Sequence, residues 1–224
     1  MWKKAILTVF ITSLASGNLL AQQGQMRWQK WSFKSKPTAK DDAEKRILDV
    51  LAGMQGRKGM MSVPMDDGRL LRILAESMQA KHVVEIGTSQ GYSAIWFCLA
   101  LIRTGGKLTT YEIDSKRAKL AESNFEKAGV ADIVTLVLGD AHEKVKDLAG
   151  PIDILFLDAD KKGYIDYLQK LLPKVRAGGL IVAHNIDPRM ADPRYVKAIT
   201  TSTELDTLLV NLRASGISVS MKKR

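Results

Sequence analysis

The sequence predicts an α/β fold, namely a doubly wound, mostly parallel β-sheet that closes with an antiparallel C-terminal hairpin. Three observations support this prediction. Short apolar segments alternate with amphipathic ones from residue 82 onward, and Ile152–Leu157 is almost continuously apolar, which is typical of a parallel strand covered on both faces. Near the C-terminus, residues 207–212 and 217–221 flank an Ala-Ser-Gly turn, which is the pattern of a hairpin.

The elements follow from the positions of apolar residues, caps and breaks. A first helix is predicted over residues 41–51, with Asp41 or Asp42 as its cap, and a second helix follows Pro64. Ligands of such a sheet bind at the carboxyl ends of the strands. The strands are predicted at residues 82–86, 107–112, 134–138, 152–157 and 180–183, and the helices between them at residues 91–101, 115–128, 141–148 and 164–172.

Length and composition suit one such domain preceded by an extension. The chain has 224 residues, and 46% of them are apolar. Residues 1–21 combine a basic start, an apolar run and small residues, which predicts a signal peptide or an N-terminal anchor, and residues 22–40 read as a basic flexible arm before the domain at 41–224. The protein is therefore expected to be exported, periplasmic or N-terminally membrane-anchored, and cytoplasmic if residues 1–21 are not a signal.

The net charge of +10 does not indicate a nucleic-acid partner, because the basic residues are scattered and no aromatic-rich sheet motif accompanies them. Solubility, or weak attraction to an anionic membrane, is the expected role of that charge. The single cysteine, Cys98, lies in an apolar helical pattern, so it forms no intramolecular disulfide and is expected in the core.

The turn at residues 85–93 is the first candidate binding element. Glycines at Gly87 and Gly91 allow a ligand to approach the backbone, and the helix that follows offers N–H groups and a positive dipole end to an anion. The carboxylate of Glu85 suits an amine. A ligand with an amine, a carboxylate and a ribose fits, and S-adenosylmethionine is one; NAD is the rival at this point.

Further polar residues follow the next strands. Glu112 ends the second predicted strand, where an acid can accept hydrogen bonds from both ribose hydroxyls. Asp140, after Gly139, follows the third strand and can meet the edge of an adenine. His142 is read as an ordinary residue of a helix start.

The residues after the fourth and fifth predicted strands include side chains that can bind a cation. Asp158 and Lys161 follow the fourth strand, and a lysine at a helix start is unexpected because the dipole disfavours cations there. His184 and Asn185 follow the fifth strand. Asp158 with Asn185, and with His184 as a further donor, predicts a site for a divalent cation.

These segments resemble the cation-dependent O-methyltransferases, the group that contains catechol and caffeoyl-CoA O-methyltransferases. The resemblance rests on residues 85–93, 157–161 and 178–180 and extends to 61–64 and 216–220. It implies a Rossmann-like seven-stranded sheet, S-adenosylmethionine as methyl donor, a divalent metal, a small catechol-like hydroxylated acceptor and a homodimer.

The resemblance also implies a role for each matching residue. The donor's methionine part would be held by Val63, Glu85, Gly87, Thr88, Ser89 and Ser93, its ribose by Glu112, and its adenine by Asp140 and Ala141. Asp158 and Asn185 would ligate the metal, and Lys161 would be the general base on the acceptor hydroxyl.

His184 departs from the pattern, because the family usually has aspartate at that position. An imidazole removes one negative charge and favours softer ions than magnesium or calcium. Three outcomes stay open: a transition metal, weakened magnesium binding, or loss of the metal and of catechol chemistry. A binding module with lost catalysis is the competing function, whereas an NAD-dependent oxidoreductase is disfavoured because no Tyr-x-x-x-Lys motif is evident.

Overall fold

A seven-stranded mixed sheet organises the computed structural model, which describes residues 35–56, 61–211 and 216–224. The compact unit discussed below is Ala39–Arg224. The predicted signal or anchor at 1–21, and residues 22–34 of the predicted arm, lie outside the described residues. Within the described ranges, no helix is both long enough and apolar enough to cross a membrane.

The strand order confirms the predicted architecture. The sheet runs β3-β2-β1-β4-β5-β7-β6; β1 to β5 are mutually parallel, and β7 is antiparallel to both of its neighbours. The strands are β1 (His82–Ile86), β2 (Lys107–Glu112), β3 (Val134–Leu138), β4 (Ile152–Leu157), β5 (Val175–His184), β6 (Leu205–Val210) and β7 (Ile217–Lys222).

Helices cover both faces of the sheet. Neighbouring strand residues point to opposite faces, so Val83 and Val84 of β1 belong to two separate apolar clusters. The first cluster includes residues of α1 to α4, and the second includes residues of α5 to α7. The helices are α1 (Asp42–Met54), α2 (Met65–Ser77), α3 (Tyr92–Thr104), α4 (Ser115–Ala128), α5 (Ala141–Lys144), α6 (Tyr164–Leu171) and α7 (Pro193–Thr201).

Three elements differ from the sequence prediction. The helix predicted over residues 141–148 is α5 followed by a 3-10 turn at Val145–Asp147. Strand β5 has ten residues and begins at Val175, whereas the strand was predicted to begin at residue 180. Gly178 and Gly179 lie within the strand, at an irregularity in its pairing with β4. Helix α7 lies in a segment for which no element was predicted, although its start has a usual signal: the side chain of Asp192 caps the helix, and Pro193 occupies its first turn.

Candidate functional site

A cavity of about 840 Å³ opens at the carboxyl ends of the parallel strands. This is where a doubly wound sheet is expected to bind its ligand. Every predicted site residue except Glu85 lines the cavity. These residues are Val63, Gly87, Thr88, Ser89, Ser93, Glu112, Asp140, Ala141, Asp158, Lys161, His184 and Asn185.

The turn after β1 packs tightly against β2 and β4. The backbone N–H groups of Gly87 and Thr88 both donate to the carbonyl of Tyr111, at 3.1 Å. Gly87 has φ +102°, and a Cβ at this position would lie 2.4 Å from the carbonyl oxygen of Asp158. Glycine is therefore required here for two reasons, the backbone angle and the close approach of the neighbouring chain.

Glu112 is fixed at the end of β2. Its Oε2 accepts from the backbone N–H of Ser89 at 2.7 Å, and its Oε1 accepts from that of Asp114 at 3.0 Å. A carboxylate has about four acceptor directions, so two such bonds orient it and leave capacity for a ligand. Glu112 thus joins the turn after β1 to the end of β2 across the cavity wall.

Glu85 is fully buried, and its side chain does not line the cavity. The hydroxyls of Ser93 and Thr110 donate hydrogen bonds to its carboxyl group. The hydroxyl of Thr110 also forms a hydrogen bond with that of Thr88, at 2.6 Å. Glu85 therefore lies beneath the turn in this structure, and its predicted contact with a ligand amine stays a prediction. The sequence could not show this, because the pattern places Glu85 beside the turn but does not reveal which side it faces.

Burial raises the pKa of Glu85 to about 8, although the hydrogen bonds from Ser93 and Thr110 oppose the shift; the charges of Asp158 and Glu112 add to it. Because the folded-state pKa lies above the usual 4.5 of the unfolded chain, this group favours folding below about pH 4.5 and loses that contribution as the pH rises through 8.

We expect Glu85→Gln to flatten the pH dependence of stability. The wild-type free energy of unfolding should fall by about 3–5 kcal/mol more than that of Glu85→Gln between pH 5 and pH 9, since glutamine has no proton to lose. Urea unfolding of the ligand-free chain at pH 5, 7 and 9 measures the difference. The exposed Glu122→Gln is the matched control, and parallel curves for wild type and Glu85→Gln would contradict the prediction.

Lys161 and Asp158 form an ion pair on the cavity wall. The Nζ of Lys161 donates to Asp158 Oδ1 at 2.9 Å and to the hydroxyl of Tyr164 at 2.8 Å. Tyr164 is almost completely buried, and its hydroxyl lies 2.9 Å from the carbonyl oxygen of Leu157, to which it donates. Tyr164 therefore holds the lysine head group in place, a role that the sequence analysis missed despite its position three residues after Lys161.

His184 lies between two carboxylates. Its Nε2 is 3.1 Å from Oδ2 of Asp67, in the first turn of α2, and its Nδ1 is 3.5 Å from Oδ1 of Asp158. Nδ1 is buried and makes no hydrogen bond. Burial lowers the pKa of His184, but the interactions with Asp158 and Asp67 outweigh it and raise the pKa to about 9. Asn185 follows with a left-handed backbone, φ 60°.

Asp67 was not recognised from the sequence, because it lies 117 residues before His184 and its segment carries no motif beyond a helix start.

Within the described residues, no group of three or more His, Cys, Asp or Glu side chains is arranged to hold a metal ion. Any cation at this wall would thus depend on Asn185 together with Asp158 and His184.

Two stacked aromatic rings also line the cavity. The ring of His142 stacks on that of Tyr167, with centroids 4.2 Å apart, and the Tyr167 hydroxyl donates to Asp160 at 2.8 Å. Burial lowers the pKa of His142, but its hydrogen bond to Asp166 and nearby acidic charges produce a net increase. His142 was predicted only as a helix-start residue, but it also lines the cavity.

Fold and cavity together define a doubly wound α/β domain of the nucleotide-binding type. The model of the O-methyltransferase family matches residues 38–188, and the chain belongs to that family.

Three known proteins illustrate the similarity. A catechol O-methyltransferase of Niastella koreensis is 42% identical over 130 residues, which cover 56% of this chain and 58% of that protein. One of Mycobacterium tuberculosis is 39% identical over 127 residues, which cover 56% and 57%. The match thus spans less than three fifths of these curated relatives. An O-methyltransferase from Bacillus cereus, crystallised in complex with SAH, has a TM-score of 0.68 at 26% identity and covers 90% of this chain and 97% of that one.

Proposed function

We propose that this protein transfers the methyl group of S-adenosylmethionine to a hydroxyl of a small catechol-like acceptor, with the help of a divalent cation. The observation that carries the proposal is the pairing of Lys161 with Asp158 on the wall of the cavity that the Gly87 turn also lines. Membership of the O-methyltransferase family and the similarity to two proteins named catechol O-methyltransferase support the reaction and the acceptor class.

The donor is assigned to the side of the cavity built by β1, β2 and β3. When bound, S-adenosylmethionine supplies an electrophilic methyl group on a sulfonium centre. Glu112 is oriented to accept from the ribose hydroxyls, Asp140 and Ala141 border the adenine, and Val63 and Ser93 lie at the methionine end. Glu85 supports the turn through its hydrogen bonds with the hydroxyls of Ser93 and Thr110.

The acceptor is assigned to the side built by β4 and β5. A phenol is mostly protonated at neutral pH, so its oxygen needs a base to become a good nucleophile. Nζ of Lys161, after losing its own proton to solvent, is the atom that takes this proton as the free amine, and Asp158 and Tyr164 hold it in place. The acceptor oxygen then forms a bond to the methyl carbon as the bond from that carbon to sulfur breaks.

The residues on this wall fit a divalent cation. A buried Nδ1 of His184 without a hydrogen bond, beside the Asp158 carboxylate, is what a nitrogen- and oxygen-binding ion requires. Asp158, His184 and Asn185 would hold the ion, which would supply positive charge that lowers the pKa of the acceptor hydroxyl. The mixed donor set suits manganese, iron or zinc better than magnesium.

A second candidate function is a donor-binding module without turnover. The observation that favours it is His184 itself, which lies between Asp67 and Asp158 where relatives of the resembled group usually have an aspartate. In that case the imidazole would occupy the position of the cation and the acceptor would not be activated.

Methylation of a catechol panel, with and without chelator, tests these two functions. Chelator-sensitive transfer supports the enzyme. Donor binding measured by calorimetry, with no transfer to any acceptor, supports the binding module. A chain that binds neither S-adenosylmethionine nor S-adenosylhomocysteine contradicts both.

Glu112→Gln tests the assignment of the donor. The substitution removes a charged acceptor of ribose hydrogen bonds, and such bonds contribute roughly 1.5–3 kcal/mol each, so the affinity for S-adenosylhomocysteine should fall by about 10- to 100-fold. Isothermal titration calorimetry measures this change against the exposed Glu122→Gln. An unchanged affinity would place the ribose elsewhere.

A further inference from the structure

Asp67 makes a buried contact that the proposed chemistry does not use. Its side chain is 3% exposed and that of His184 is 7% exposed, and Oδ2 of Asp67 lies 3.1 Å from Nε2 of His184. Helix α2 thus places the Asp67 carboxylate next to Nε2 of His184, whereas Asp158 lies next to the other ring nitrogen, Nδ1. Burying a carboxylate without a partner is costly, so this position is specifically matched to the histidine.

The contact determines which ring nitrogen of His184 is free. A carboxylate accepts a hydrogen bond and does not donate one, so Asp67 is matched to an N–H at Nε2. A metal ion binds the neutral form of a histidine and therefore displaces one ring proton. With the Nε2 proton donated to Asp67, the lone pair that remains is at Nδ1, the atom that faces Asp158 at 3.5 Å and makes no hydrogen bond. Histidines that bind metals commonly donate their second ring N–H to a carboxylate in this way.

We propose that Asp67 is a positioning residue that presents Nδ1 of His184 to the cation site, and that this pair makes the site prefer a first-row transition ion to magnesium. The inference rests on the proposed function, because it concerns the cation of that same site. Imidazole nitrogen binds Co²⁺ and Zn²⁺ well, whereas Mg²⁺ requires oxygen ligands.

Metal titration of the full chain without acceptor tests this inference. Co²⁺ is the probe because its visible absorption reports nitrogen ligation directly, and Mg²⁺ is titrated in parallel by calorimetry. Wild type should bind Co²⁺ at least about tenfold more tightly than Mg²⁺. Asp67→Asn should weaken Co²⁺ binding by about 10- to 100-fold and leave Mg²⁺ binding within twofold. Asp66→Asn, on the same turn of α2, is the matched control and should change neither.

His184→Asp provides a second test that does not depend on the folding of Asp67→Asn. It should strengthen Mg²⁺ binding and abolish the nitrogen-dependent part of the Co²⁺ spectrum. Equal affinities of wild type for Co²⁺ and Mg²⁺, or a Co²⁺ spectrum unchanged in His184→Asp, would overturn the inference.

Binding of S-adenosylhomocysteine, measured in the same samples, separates this inference from the proposed function. Donor binding without any ion preference overturns the inference alone. Absence of donor binding overturns the proposed function, whereas a Co²⁺ response lost in Asp67→Asn would still support the metal ligand pair.

Discussion

Replacing Lys161 by methionine is expected to lower the rate of methyl transfer by about 100- to 10,000-fold. Methionine fills a similar volume but accepts no proton, and it removes the partner that holds the Asp158 carboxylate at 2.9 Å. Lys161 lies on the side of the cavity that we assign to the acceptor, so the affinity for S-adenosylhomocysteine should stay within twofold. Single-turnover rates with a catechol, together with calorimetry of donor binding, measure both quantities.

The neighbouring Lys162→Met is the control, because Lys162 is exposed and does not line the cavity. A Lys161→Met variant that keeps more than about a tenth of the wild-type rate would exclude Lys161 as the general base. Thermal unfolding of each variant verifies that the loss lies in chemistry and not in folding.

Replacing Gly87 by alanine is expected to have the largest effect on the fold. The new Cβ would lie 2.4 Å from the carbonyl oxygen of Asp158, and the φ of +102° is strained for any residue with a side chain. The backbone of Asp158 cannot move away freely, because its N–H donates a hydrogen bond to the carbonyl of Ile86 at 2.9 Å. The expected loss of stability is roughly 2–4 kcal/mol, together with loss of donor binding.

Gly53→Ala supplies the comparison for this prediction. Gly53 lies in α1, and a Cβ there would meet nothing within 4 Å. Alanine is the better helix former by about 0.5–1 kcal/mol, so this variant should be as stable as wild type or more so. Equal urea midpoints for Gly87→Ala and wild type would contradict the steric argument.

The architecture was predictable because its signals are local. Buried parallel strands such as Ile152–Leu157 require continuous apolar residues, and Gly87 marks a turn at which a ligand can approach the backbone. Once the strand order is known, the carboxyl ends of the strands meet, which brings Glu112, Asp158 and His184 to one cavity. Helix α7 had an Asp-Pro start that local reasoning could have used.

The contacts that define the chemistry were not predictable in the same way. Asp67 reaches His184 across 117 residues of sequence, and no spacing rule connects a helix start with a distant strand end. The complete burial of Glu85 likewise depends on how the fold packs. Alternation along a strand assigns residues to two faces, but it does not indicate which face lies next to a ligand. Periodicity predicts elements, whereas side-chain partners depend on tertiary packing.

The pairing of β1 with β4 has a consequence for how ligands act on the protein. Val83 of β1 pairs with Ile154 of β4, 71 residues further along the chain, and the cavity lies at the ends of these two strands. A chain that has not joined them has no cavity, so a ligand binds only the folded form. By mass action, ligand at 100 times its Kd then stabilises the entire sheet by about 2.7 kcal/mol. Occupancy of this site is therefore linked to the global folding equilibrium and not to the ordering of a single loop.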